Sequence, residues 1–253
     1  MDEDQWRRSC DPVPMTQYLC QHQQIHRTKA GQRKLHLLAC SWCCRFWEHL
    51  PDWAREKIVL LEQFYDGVVS REELAQALVS AHAFHSDISE SFYDARDDGD
   101  TWQSLRKHEL IALIIRSLLE FEQLQVRIVE ICERLIQLLD TVVLQQQSPR
   151  SINERRGVIT SEREQMSHLV REIFGNPHSP AKLDPIWLRW NNETVRKMAE
   201  QISTSETFHQ MPVLGDALEE AGCSDESILD HCRAATKHSK GCWVLDLLLG
   251  KEC

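Results

Sequence analysis

Residues 110–143 read LIALIIRSLLEFEQLQVRIVEICERLIQLLDTVV, and their periodicity decides the fold class. Ile111, Leu118, Gln125, Cys132 and Leu139 fall on one heptad position, and Ile114, Phe121, Ile128, Leu135 and Val142 on the other, so Gln125 alone breaks an apolar seam. Ile115, Val129, Ile136 and Val143 on one flank, with Leu110, Leu124, Ile131 and Leu138 on the other, widen the stripe beyond a two-stranded coiled coil. The pattern predicts one long helix inside a bundle, its seam engaging a protein partner or a second copy of the chain. Arg116, Glu120, Arg127, Glu130 and Arg134 interrupt it too often for a membrane span.

On either side, helix punctuation repeats. Asp11–Pro12 and Asp184–Pro185 pair an N-cap residue with the imino acid that suits the first helical position. Ser70 with Glu73, and Ser161 with Glu164, have capping-box spacing, Asp52, Asn192 and Ser224 suit N-caps, and Met211–Pro212 opens a further helix. Gly67, Gly175 and Gly250 suit left-handed helix ends. No period-two run suggests a strand, so the chain reads as all-α: a multi-helix bundle with one long central helix. Composition divides it into a helical region at 1–85, a polar acidic loop from 85 to 100 followed by the long helix to 150, and a helical region at 151–253. QQQSPRSINERRGVIT, 145–160, reads as a linker, and the two end regions are expected to pack as one unit.

The 29 Lys and Arg against 39 Asp and Glu leave a net charge of −10, which argues against a nucleic-acid or anionic-membrane partner. The acidic opening MDEDQW is not an export signal, so a cytoplasmic location with reduced cysteines is expected.

Two longer stretches, EREQMSHLVREIFGNPHSPAKLDPIWL and FHQMPVLGDALEEAGCSDESILDHCRAATKHSKGCWVLDLLLGKE, together with DQWRRSCDPVPMTQYL and RKLHLLACSWCCRFWEHLPD near the start, resemble an uncharacterised group of planctomycete proteins. The resemblance covers roughly residues 4–80 and 161–252. It implies that both ends belong to one recurring unit and carries no catalytic assignment.

Chemistry concentrates in two places. Cys223, Cys232, His238 and Cys242 offer thiolate and imidazole donors of the kind tetrahedral zinc takes, at intervals that are not those of a standard finger. Packing explains them as well: Cys223 can staple onto Ile228, Cys232 follows Ile228 by one turn, Cys242 and Trp243 open an apolar helix, and His231 and His238 become surface or helix-end residues. In the second place, Cys40, Cys43 and Cys44 lie between His36 and His49, but Leu37, Cys40, Cys44 and Trp47 share a helix face, as core residues do. Packing is the favoured reading of both, with no cofactor favoured and zinc the alternative. No phosphate-binding glycine loop, Gly-x-Ser-x-Gly or His-Glu-x-x-His motif is present, so the catalytic residues are unknown and the sequence leans away from an enzyme. The expected function is a noncatalytic helical interaction or scaffold module, with a zinc-binding helical protein, its Cys/His site structural or catalytic, as the alternative.

Overall fold

In the computed structural model, which describes residues 1–94, 99–120, 124–145, 151–234 and 237–251, every regular element is helical. The twelve α-helices among the described residues are α1 (Glu3–Arg8), α2 (Pro12–Gln21), α3 (Lys29–Cys44), α4 (Asp52–Tyr65), α5 (Arg71–Asp94), α6 (Gly99–Leu119), α7 (Leu124–Gln145), α8 (Ile152–Phe174), α9 (Pro185–Ser205), α10 (Met211–Glu220), α11 (Glu226–Arg233) and α12 (Trp243–Leu248). None of them is long and apolar enough to cross a membrane.

The heptad run is not one helix. It stops at Glu120 and resumes at Leu124, and α6 and α7 fold back on each other, Arg134 of α7 donating to the Ser117 hydroxyl (2.7 Å) and the Leu113 carbonyl (3.5 Å) of α6. Glu120 at the break gathers Arg127 (3.2 Å), His82 (3.5 Å) and Arg116 (3.6 Å) around its carboxylate. Ile111, Ile114, Leu118, Ile128, Cys132, Leu135 and Val142 are 0–7 % exposed, covered by each other and by α3, α4 and α5. Leu139 and Gln125 are half-buried, while Phe121 lies outside the described residues. A heptad repeat says which face is buried and not what buries it. Here a hairpin within the chain uses the stripe that the sequence offers to a partner.

Two boundaries move for related reasons. Helix α5 runs nine residues past His85 because Leu74, Ala77, Ala81 and Ile88 keep one apolar stripe through the acidic text, all at most 8 % exposed. Helix α8 absorbs most of the expected linker, because the capping box that forms is Ser151 with Glu154, each side chain meeting the other's backbone N–H (3.3 and 2.8 Å), and not Ser161 with Glu164. Gly157 inside α8 faces open space, so its cost is only the usual ~1 kcal/mol relative to Ala. Asp11 and Asp184 cap α2 and α9 as their Asp–Pro pairs predict. Asp225, one residue after Ser224, caps α11, and Asn192 sits at φ 57 within a kink of α9 in place of capping it.

Side chains from α2 to α8, with Trp6, make one core; α9 to α12 make a second. Helix α8 belongs to the first through Met166, Val170 and Ile173, and its last turn meets the second at α12. The two cores are joined by a part-buried ion pair between Arg33 and Asp246 (2.7 Å) and by Lys240, which reaches Glu206 (3.1 Å), Asp66 (3.3 Å) and Glu62 (3.5 Å).

Candidate metal centre

Among the described residues, a cluster of possible metal donors lies at the junction of the two cores. Glu172 projects from the last turn of α8, which Gly175 ends at φ 63. His231 stands on the last turn of α11, on the flank of the apolar face made by Ile228, Leu229 and Cys232. The chain then returns through His238 and Ser239 to Gly241, whose φ of 84 and close approach to Leu37 leave no room for a side chain, and Cys242 takes the N-cap position of α12.

These four side chains converge. Glu172 Oε1 lies 3.1 Å from His238 Nδ1, Glu172 Oε2 lies 3.3 Å from His231 Nε2, and His231 Nε2 lies 3.2 Å from Cys242 Sγ. One donor atom from each falls within 4.8 Å of all the others. Ligands 2.0–2.3 Å from a tetrahedral zinc stand roughly 3.3–3.6 Å apart, so the observed separations are close to the edges of such a tetrahedron. The set is two nitrogens, one oxygen and one sulfur, a combination that suits zinc better than a hard cation such as magnesium.

The electrostatics point the same way. The Glu172 side chain is 5 % exposed, and its partners among the described residues are the two imidazoles, the thiol and the Ser239 backbone N–H (3.3 Å), with no Lys or Arg ion pair. Burial pushes His231 down to about 4, with Glu172 pulling the other way, so at neutral pH that ring brings no charge. A buried carboxylate without a counter-charge is costly unless a cation joins it.

The same burial argues against thiol catalysis. The Cys242–His231 contact resembles a nucleophile–base pair, but Cys242 is fully buried and its thiol is pushed well above the ordinary range by burial and by Glu172. A reactive cysteine needs a lowered value and access. Glu172, His231 and His238 line a cavity of about 900 Å³, whereas Cys242 lies behind them.

No protein-family model, no curated protein and no solved structure matches this chain.

Of the four zinc donors suggested by the sequence, His238 and Cys242 meet and the other two do not. Cys223 and Cys232 face the second core, where Cys232 packs so tightly on Gly215 that a Cβ there would come within 3.0 Å. His231 stands at a helix end, one of the two places expected for it, but is half-buried and joins the cluster, and Glu172 carried no mark in the sequence because it lies beside the apolar stripe of a helix remote along the chain. The second cluster stays apart: Cys40 and Cys43 are fully buried core residues, Cys44 lies at the surface, and His36 is held by the Gln32 carbonyl and the Tyr65 hydroxyl, both 2.7 Å from Nδ1. Elsewhere, His178 stacks on Tyr18 and Glu219 pairs with Arg233, while Asp97 and Asp98 lie outside the described residues.

Proposed function

We propose that the chain is a metal-binding helical protein, in which zinc held by Glu172, His231, His238 and Cys242 joins the last turn of α8 to the α11–α12 hook. The observation that carries this reading is the convergence on Glu172: a carboxylate 5 % exposed, 3.1 Å from His238 Nδ1 and 3.3 Å from His231 Nε2, with Cys242 Sγ 3.2 Å from that same His231 nitrogen. Four protein ligands fill a tetrahedron, as structural zinc sites do, and the cavity in front of Glu172, His231 and His238 gives the ion an access path. The ligands come from both sides of the junction between the cores, so the metal's binding energy is coupled to the docking of the C-terminal helices. A scaffold role through the 111–142 seam loses its motivation, since seven of its ten residues are covered from within. Elemental analysis of protein made without a histidine tag tests the reading. About one equivalent of zinc per chain is expected, and less than about a tenth of an equivalent after growth and purification with added zinc would contradict it.

A further inference from the structure

We infer that Trp243 sets the metal affinity of this centre by holding His231 in the imidazole form that metal must displace. The inference rests on the metal-binding reading above and concerns how that site is regulated. The indole Nε1–H can only donate, and it lies 3.1 Å from His231 Nδ1. Nδ1 therefore offers its lone pair to Trp243, and the single proton of the neutral ring sits on Nε2, facing Glu172 Oε2 at 3.3 Å and Cys242 Sγ at 3.2 Å. Without metal this is a self-consistent network, in which Glu172 accepts from His231, from His238 and from the Ser239 backbone.

A metal on Nε2 reverses the arrangement. The proton moves to Nδ1, where it meets the indole N–H directly: two donors face each other with no acceptor between them. Histidines that hold metal ordinarily give their other N–H to a carboxylate or carbonyl. Trp243 offers His231 the opposite partner, so metal loading and the Trp243–His231 hydrogen bond exclude each other. The indole cannot yield toward α8, because its ring already rests on Gly175, where a Cβ would come within 3.2 Å. It can yield away from the metal, because Trp243 and His231 both border a separate cavity of about 530 Å³ beside Phe174 and Pro177. By linkage, whatever keeps the indole on His231 weakens metal binding, and metal loosens the indole by the same factor.

The test is a zinc titration of the full chain against a chromophoric chelator, comparing wild type with Trp243→Phe, which keeps a ring over Gly175 and removes the N–H. The phenylalanine variant should bind zinc about three- to tenfold more tightly, the effect of losing one neutral hydrogen bond that opposes binding. A merely structural tryptophan predicts weaker binding, so equal or weaker affinity in a variant with wild-type helix content overturns the inference. Should that variant fail to fold, the wild type decides alone. In ¹⁵N-indole-labelled protein the Trp243 resonance, assigned through its contacts to the His231 ring, should shift and exchange faster with solvent on adding zinc. An indole unmoved while zinc binds overturns the inference only, whereas a wild type that takes up no zinc removes the metal-binding reading itself.

Discussion

The chain carries two clusters of cysteine and histidine, and the fold treats them oppositely. Around Cys40, the buried donors Cys40, Cys43 and His36 have no carboxylate hydrogen-bonded to them among the described residues, and Cys44 lies at the surface; around Cys242 two imidazoles and a thiol close on Glu172. Each cluster buries thiols and raises them by desolvation, Cys43 and Cys242 alike. Burial therefore does not separate a site from a core. What separates them is a carboxylate at the point of convergence with no Lys or Arg partner among the described residues, because a buried thiol among leucines is satisfied by packing while such a carboxylate calls for a further partner.

The largest effect that sharpens this contrast is the response to metal removal. With free zinc a thousandfold above its dissociation constant, binding to the folded state alone contributes about 4 kcal/mol. Denaturant unfolding of the wild type should lose that amount in chelator, Cys242→Ser and His238→Ala should show no chelator effect, and Cys43→Ala should keep all of it. A chelator effect lost in Cys43→Ala would show that the N-terminal cluster shares the metal.

Acid should expose the N-terminal cluster next. His36 is 1 % exposed, and burial holds it down to about 4 against an ordinary 6.5, the Gln32 carbonyl opposing only in part. Between those values the unfolded chain takes up a proton that the folded chain refuses. The contribution is fully present above about pH 6.5 and is lost as the pH falls toward 4, by up to about 3 kcal/mol. In chelator, His36→Gln should flatten this part of the stability–pH curve, and an unchanged slope would mean that His36 is not held neutral.

The smallest effect is at the cysteines that only pack. Cys40→Ala and Cys232→Ala should each cost about 1 kcal/mol, with or without zinc, since a thiol leaves little cavity. A cost several times larger that disappears in chelator would mark either one as a ligand.

Much of the architecture is legible in local signals. Asp11–Pro12, Ser70–Glu73 and Asp184–Pro185 place helix starts because a cap needs only residues one to three positions away. Where two equal signals compete, locality fails: Ser151–Glu154 and Ser161–Glu164 have the same spacing, and only the upstream box leaves the intervening residues helical. The break at Glu120 is illegible for a similar reason, since it depends on arginines and a histidine arriving from α5, α6 and α7. Within the cluster, His238 and Cys242 stand out by their spacing, but it is His231, next to Cys232, that the fold carries to Glu172. One residue along a helix turns the side chain by about 100°, from the Gly215 contact to the junction. Glu172 becomes visible only when α8 is set against α11 and α12.

Cobalt substitution reads the donors one by one. Replacing zinc by Co(II) in the full chain should give a four-coordinate visible spectrum with a charge-transfer band of one thiolate. That band should vanish in Cys242→Ser, weaken or shift in Glu172→Gln, and persist in Cys223→Ser, Cys232→Ser and Cys40→Ser. A band that survives Cys242→Ser, or that disappears with Cys223 or Cys232, would contradict the Glu172–His231–His238–Cys242 centre.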